Sequence, residues 1–240
     1  MRVKAVIAYD GSHFFGFQKQ KSTKNTVAGE IENALLSIHI SSKIIGSGRT
    51  DAGVHATGQV IHFDLPPYWD DVNKLKLTLN RKLKHIFIKH ITQVNKTFHS
   101  RFSAKKRMYR YVFKTKKPSV FEEKYISYYS HFDEKKLQNA LDLFIGIHDF
   151  KYFKKTGSPT HTDVREIYTA KYLYKKGFHF IYFQANGFLR SQVRMMVEMS
   201  MQYAQGRVTL KEVSEQIKTQ KKHNQRLAPP EGLYLAQISY

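Results

Sequence analysis

The stretch 48–65 constrains the fold of this chain most, because it joins a short polar loop to a β-strand. From residue 56 to 65 the pattern has a period of two, as expected of a half-buried strand: Ile61, Phe63 and Leu65 alternate with Val60, His62 and Asp64. The preceding loop carries Asp51 among Gly46, Gly48 and Gly53. Glycine adopts positive φ easily, so we expect a sharp turn that presents the Asp51 carboxylate at the head of the strand. An ordinary β-turn is the alternative interpretation, since these residue types are common in turns.

The elements predicted around this strand define an α+β first half. Strands are predicted at 3–9, 43–46 and 85–94, and helices at 26–38, with Thr26 as N-cap, and at 72–83. The resulting order, strand, helix, strand, strand, helix, strand, is typical of a ferredoxin-like unit with an antiparallel sheet and its helices on one face.

The second half loosely repeats this plan after a connector at 98–104. Strands are predicted at 108–114, 165–174, 178–185 and 234–240, and helices at 188–203 and after Asp133, the latter with Leu137, Ala140, Leu141, Phe144 and Ile145 on one face. The polar loop at 151–163, which contains Gly157 and Pro159, is the segment expected to be most flexible. We therefore expect two domains, residues 1–103 and 104–240.

The charge of the chain indicates a polyanionic partner. Forty Lys and Arg against nineteen Asp and Glu give a net charge of +21. In the stretch 105–114 the cations are interleaved with rings: Lys105, Lys106, Arg107, Arg110 and Lys114 with Tyr109, Tyr111 and Phe113. Cations for phosphates and rings for bases are typical of a nucleic-acid surface, on which we place Arg110. The alternative is that the charge only aids solubility.

Several classes of site and location are excluded by composition. The chain has no cysteine, which removes disulfides, thiolate metal sites and cysteine nucleophiles. The twelve histidines include no His-Glu-x-x-His, and no phosphate-binding loop follows Gly46. No stretch approaches the roughly 20 apolar residues of a membrane span, and the first residues are not typical of a signal peptide. We expect a cytoplasmic protein without a metal site or membrane contact.

The loop before the predicted strand carries a specific family pattern. Its residues are Gly48-Arg49-Thr50-Asp51-Ala52-Gly53-Val54-His55. This string resembles the Gly-Arg-Thr-Asp-x-Gly-Val-His signature of the tRNA pseudouridine synthase A family, with every fixed position filled. Further segments resemble that family at 9–18, where Phe17 replaces the usual tryptophan, and at 98–104, 146–153, 186–197 and 228–235.

The resemblance implies an isomerase that acts on uridines in the anticodon stem-loop of tRNA. Such an enzyme breaks the bond between ribose C1′ and uracil N1, turns the base and rejoins it through C5. The step involves no redox change, and the family uses one aspartate and no cofactor. The resemblance also implies a homodimer, and an active-site cleft between two ferredoxin-like halves.

The resemblance assigns the catalytic roles to three residues. Asp51 matches the catalytic aspartate; because burial would raise its pKa, a facing cation is needed to keep it charged. Arg194 matches the family's active-site arginine and flanks an inward stripe of Val193, Met196, Val197 and Ser200. From the pattern alone, Arg194 could instead lay its stem along the core edge. Tyr109 matches the active-site tyrosine, although Tyr111 lies on the same strand face.

Substrate contacts are assigned to five further residues. A target base must be extruded from an RNA stem, and Arg49 resembles the residue that fills or holds the gap. His55 either contacts substrate or anchors its loop, and Leu233 could form a wall of the uracil pocket. Lys154 stands where the family usually has arginine, which keeps the charge without the bidentate geometry. Arg110 completes this set.

Two other functions are compatible with parts of this pattern. A non-catalytic RNA-binding or chaperone protein would keep the basic surface, but it would be expected to have lost Asp51, Tyr109 or Arg194. A nucleoside hydrolase using Asp51 on the same C1′–N1 bond would release free uracil. The sequence also leaves open whether Asp51 attacks C1′ or removes the proton from C2′.

Overall fold

The computed structural model describes residues 1–23, 25–157 and 160–240. As predicted, the chain is α+β with mainly antiparallel strands. It forms two compact units: unit 1 is residues 1–105 with Tyr234–Tyr240, and unit 2 is Lys106–Leu233. Pro159 of the loop predicted to be flexible lies outside the described residues. Within the described part, no helix is long and apolar enough to cross a membrane.

The described residues form ten strands and five α-helices. In chain order they are β1 (Arg2–Tyr9), α1 (Val27–Leu36), β2 (Ile45–Gly46), β3 (His55–Asp64), α2 (Val72–Lys82), β4 (Ile86–Gln93), β5 (Lys106–Lys114), β6 (Ser127–Tyr128), α3 (Glu134–Asp142), β7 (Gly146–Asp149), β8 (Val164–Lys175), β9 (Phe178–Ala185), α4 (Gln192–Ala204), α5 (Leu210–Ile217) and β10 (Leu233–Ser239).

Unit 1 has the predicted ferredoxin-like order. Strands β4, β1 and β3 are antiparallel neighbours, and β2 pairs antiparallel with the end of β3, Ile45 opposite His62. Strand β10 adds a short parallel pairing at the start of β3, Tyr234 opposite His55. Helix α1 begins after Thr26, whose side chain accepts a hydrogen bond from the Gly29 N–H, as predicted for an N-cap.

Strand β3 is buried on both faces, which corrects the prediction of a half-buried strand. His62 on the second face is 2% exposed. The connector covers this face: the Ser100 N–H donates to His62 Nδ1 at 3.1 Å, the Ser100 hydroxyl donates to the Ile45 carbonyl at 2.7 Å, and the Phe98 ring meets His62 edge-on. His62 is therefore inside the protein, whereas Asp64 at the end of β3 remains exposed.

Unit 2 has the strand order β5-β9-β8-β7, all antiparallel, with β6 pairing parallel to the end of β5. Helix α3 contacts β8 and α4, and α4 contacts α5. Ile145 lies beyond α3 and is exposed, contrary to its predicted place on the buried face. Asp133 caps α3 by accepting from the Lys136 N–H.

Helix α4 differs from its prediction in its start and its burial. It begins at Gln192 because Ser191 is left-handed, with φ of 59°, and the Gln192 side chain accepts the N–H of Leu189 at 2.8 Å. Its buried residues lie on all sides, so there is no single inward stripe. Helix α5 was not predicted, although Thr209 and Glu212 form the capping box that marks such a start.

Candidate active site

Asp51 lies in a tight turn between β2 and β3. The Val54 N–H donates to the Asp51 carbonyl at 3.2 Å, and Gly53 has φ of 77°, the conformation that requires glycine. Asp51 is half-buried and Arg49 is exposed. Gly46 is needed for space, because a Cβ there would lie 2.4 Å from Phe17 Cε1.

The loop begins against a buried glutamine that the sequence analysis did not single out. Gln59 of β3 is fully buried. Its Nε2 donates to the Gly48 carbonyl at 2.7 Å, and its Oε1 accepts from the Val60 N–H at 3.1 Å. The signal in the sequence was a glutamine directly before the apolar pair Val60 and Ile61 of the predicted strand. Gln59 fixes the backbone three residues before Asp51.

The segment 9–17 braces the other side of this loop. The hydroxyls of Tyr9 and Thr50 lie 2.8 Å apart, and the Phe17 N–H donates to the Thr50 carbonyl at 3.1 Å. The approach is close, since a Cβ on Gly11 would meet the Val54 carbonyl oxygen at 2.1 Å. The segment that resembles the family's opening motif thus supports the backbone on both sides of Asp51.

His55 is buried and tied to this bracing segment. Its Nδ1 accepts the N–H of Gly11 at 3.0 Å, and its ring stacks on Tyr234 at 4.7 Å. The Asp10 carboxylate oxygen Oδ1 also lies 3.4 Å from this nitrogen. The 2% exposure of His55 favours loop anchoring, the alternative that the sequence left open, over direct substrate contact.

Tyr109 and Tyr111 have different surroundings on β5. Tyr111 is fully buried, and its hydroxyl lies 2.8 Å from Ser127 Oγ and 3.1 Å from the Pro229 carbonyl oxygen. Burial raises the pKa of Tyr111 far above its ordinary value. Tyr109 keeps slight exposure and packs edge-to-face with Phe188 at 5.2 Å. Tyr111 is thus committed to a closed hydrogen-bond network.

Arg194, in the first turn of α4, is joined to the segment leading to Leu233. Its Nε donates to the Ala228 carbonyl at 2.7 Å, while the Ala228 N–H donates to the Arg194 carbonyl at 3.1 Å. Residues 228–232 are also fixed by Tyr111 and by Gly232, where a Cβ would lie 2.5 Å from Ser127 Oγ. This arrangement sets the position of both the Arg194 guanidinium and Leu233, which is buried at the start of β10.

Lys154 and Arg110 also lie in unit 2. The Lys154 ammonium forms an ion pair with Asp163, and this hydrogen bond lowers the pKa of that carboxyl. A phosphate at Lys154 would share the ammonium with Asp163. Arg110 is half-buried on β5. The described residues include no group of three or more His, Asp or Glu that could hold a metal ion.

The predicted site residues thus fall into two sets. Unit 1 gathers Arg49, Asp51 and His55 on one braced loop. The other set lies in unit 2: Tyr109, Arg110, Lys154, Arg194 and Leu233.

Comparison with known proteins gives a consistent result over the whole chain. The sequence model of a family described as tRNA pseudouridine synthase matches residues 5–103 and 140–240. A tRNA pseudouridine synthase A from Helicobacter hepaticus is 42% identical over 243 residues, covering 99% of this chain and 98% of the relative. Proteins of the same name are 38% identical in Campylobacter jejuni, over the full length of both chains, and 37% identical in Leuconostoc citreum, over 100% of this chain and 97% of the relative.

Proposed function

Because the chain belongs to the tRNA pseudouridine synthase family, we propose that it converts uridine to pseudouridine in tRNA, at uridines of the anticodon stem-loop. The observation that carries this proposal is the complete signature at 48–55, in which a half-buried Asp51 sits on a loop braced from both sides. Since tRNA is the substrate, we place the enzyme in the cytoplasm.

Asp51 is the catalytic group of the proposed reaction. Its carboxylate acts at the ribose of the target uridine, so that the C1′–N1 bond breaks and the base can turn and rejoin through C5. The rigid turn around Asp51 supports this role, because a catalytic carboxylate must be held at a fixed distance from the reacting atom. Arg49, exposed on the same loop, holds the gap left by the extruded base.

The resemblance also assigns roles to residues of unit 2. Tyr109 stacks on the detached uracil and takes part in proton transfer at C5. Arg194 supplies the cation that keeps Asp51 charged, and Leu233 contributes an apolar wall. Arg110 and Lys154 bind phosphates of the tRNA. The fixed geometry of Arg194 against Ala228 supports its assignment.

Tritium release from tRNA labelled at uracil C5 tests the reaction directly, because pseudouridine formation removes the hydrogen at C5. We expect release by the wild-type chain without free uracil, and no release by Asp51→Ala or by the isosteric Asp51→Asn. The matched control is Asp70→Asn, which removes an exposed carboxylate of unit 1 and should leave release unchanged. Binding of tRNA by the Asp51 variants should stay close to wild type.

Each competing function has its own outcome in this assay. Free uracil in place of pseudouridine would identify a nucleoside hydrolase. Tight tRNA binding without release from any tRNA would identify a binding protein, and near-wild-type release by Asp51→Asn would reject Asp51 as the catalyst.

We also propose that the enzyme is a homodimer, as the resemblance implies. Light scattering during size-exclusion chromatography should give about twice the 28.1 kDa chain mass. A monomer at the concentrations used in the assay, with full activity, would contradict this assembly.

A further inference from the structure

The connector places a phenylalanine where the solvent can reach most of it. Phe102 is 76% exposed, although phenylalanine is usually buried. Its neighbour Arg101 is exposed as well, with its guanidinium carbon 5.6 Å from the centre of the Phe102 ring. An exposed ring beside a cation is a common composition of nucleic-acid contacts.

The exposed ring stands on a rigid base. The Nδ1 of His99 accepts the N–H groups of Arg101 and Phe102, both at 3.2 Å, and the Ser103 N–H donates to the His99 carbonyl at 2.9 Å. The imidazole of His99 stacks under the Phe102 ring at 4.3 Å with 28° between the planes. One face of the phenyl ring is therefore supported by its own turn.

This turn is also fastened to the sheet of unit 1. Ser100 bonds to His62 and to the Ile45 carbonyl, and the Tyr240 hydroxyl donates to the Ser100 carbonyl at 2.8 Å. The Lys105 N–H donates to the Ser239 carbonyl at 2.8 Å, which fixes the end of the connector. The position of Phe102 is thus set before any ligand arrives, which reduces the entropy lost on binding.

We propose that Phe102 is a stacking platform for a nucleobase of the bound tRNA, with Arg101 beside it for a neighbouring phosphate. The proposal rests on the proposed function and adds a contact outside the residues assigned to chemistry. Charge favours RNA as the occupant: the chain carries +21, and the connector is followed by Lys105, Lys106 and Arg107. The cations next to Phe102 match the phosphates of RNA, so the proposed homodimer would use a surface other than this basic one.

The test compares two exposed phenylalanines whose immediate sequence neighbours differ in charge. Phe121 is 87% exposed but is followed by Glu122 and Glu123, so it is the matched control. We expect Phe102→Ala to raise the Kd for tRNA about 10-fold, since a stacked base contributes this order of affinity. Phe102→Tyr should stay near wild type, and Phe121→Ala should leave the Kd unchanged.

The salt dependence separates stacking from charge. Phe102→Ala should keep the wild-type slope of log Kd against log salt, because no phosphate contact is lost, whereas Arg101→Gln should lower the slope by about one contact. Equal Kd values for wild type and Phe102→Ala would overturn the proposal. So would an equal loss in Phe121→Ala, or a change in the mass of Phe102→Ala in solution, which would indicate a protein interface.

Fluorescence reports the stacking itself. The chain has one tryptophan, Trp69, so Phe102→Trp in a Trp69→Phe background gives a single probe. We expect tRNA to quench Phe102→Trp strongly and Phe121→Trp little; equal quenching would overturn the proposal. If the wild-type chain binds tRNA but forms no pseudouridine, the proposed function is wrong. The binding results would still test whether Phe102 stacks on a base of the tRNA. A wild-type chain that does not bind tRNA would overturn both.

Discussion

Single residues around Asp51 act mainly by leaving room or by forming one hydrogen bond. Gly11 has both roles, since its N–H holds His55 and its missing side chain lets the Val54 carbonyl approach. Thr50 is fixed through its hydroxyl and its carbonyl. The position of the carboxylate therefore depends on residues that need not touch the substrate.

We expect Gly11→Ala to lower the turnover of bound tRNA by roughly 100-fold, because the added Cβ must displace the Asp51 loop and a shift of about 1 Å can cost that much. Single-turnover rates at saturating tRNA measure the effect. Gly177→Ala is the control: no atom lies within 4 Å of its Cβ position, so only the strain of its positive φ should appear, as a loss of about 1 kcal/mol in stability. Equal turnover in the two variants would show that the loop tolerates the methyl group.

Substitutions of the two tyrosines of β5 should have different effects, one on the reaction rate and the other on the free energy of unfolding. Tyr109→Phe should reduce the single-turnover rate by roughly 100-fold or more, with little change in the free energy of unfolding. Tyr111→Phe should destabilise the protein by about 1–2 kcal/mol, since it removes the hydroxyl between Ser127 and Pro229, and should largely keep the rate. The reverse pattern in urea unfolding and rate measurements would exchange their roles.

The sequence pattern alone could not distinguish the roles of Tyr109 and Tyr111. Tyr109 and Tyr111 share a strand face, and the partners of Tyr111 lie 16 and 118 residues further along the chain. The Asp51 loop was recognisable because its residues are contiguous. Gln59 and Gly11 contribute through contacts that no local spacing reveals.

At the scale of elements, local periodicity predicted most helices and strands, because the alternation and the caps lie within each segment. The second face of β3 was missed since its cover comes from the connector, and Ser100 is 38 residues beyond His62. The early start predicted for α4 failed because nothing in the pattern marked Ser191 as left-handed.

The burial of His62 beneath the connector predicts that the stability of the protein depends on pH. Burial lowers the pKa of His62 to about 4, below the ordinary 6.5, so the unfolded chain binds the proton more readily. The neutral His62 ring contributes fully to the free energy of unfolding above about pH 6.5. This contribution is lost as the pH falls from about 6.5 to about 4, by up to about 3 kcal/mol. In His62→Asn, whose Oδ1 can accept the Ser100 N–H without titrating, urea unfolding should show a correspondingly smaller loss over this range. An unchanged pH profile would show that His62 is not the titrating group.

For the whole molecule, the dominant property is its charge of +21. If at least roughly four phosphates are contacted, the affinity for tRNA should fall about 100-fold or more between about 50 and about 200 mM salt. Filter binding at constant magnesium measures the slope, and Asp51→Asn should show the same slope as wild type. An affinity independent of salt would contradict the phosphate-contact assignments of Arg110 and Lys154.

Because β10 belongs to unit 1, this unit is completed only after unit 2 has been translated. Tyr234 supports the ring of His55, and Gly58 admits the Ala236 carbonyl, yet both partners are translated only after residues 106–233. A nascent chain therefore cannot finish the unit that carries Asp51 until the intervening unit has been synthesised. A product cut short before β10 would lack the support behind His55, so incomplete translation products should be inactive toward tRNA.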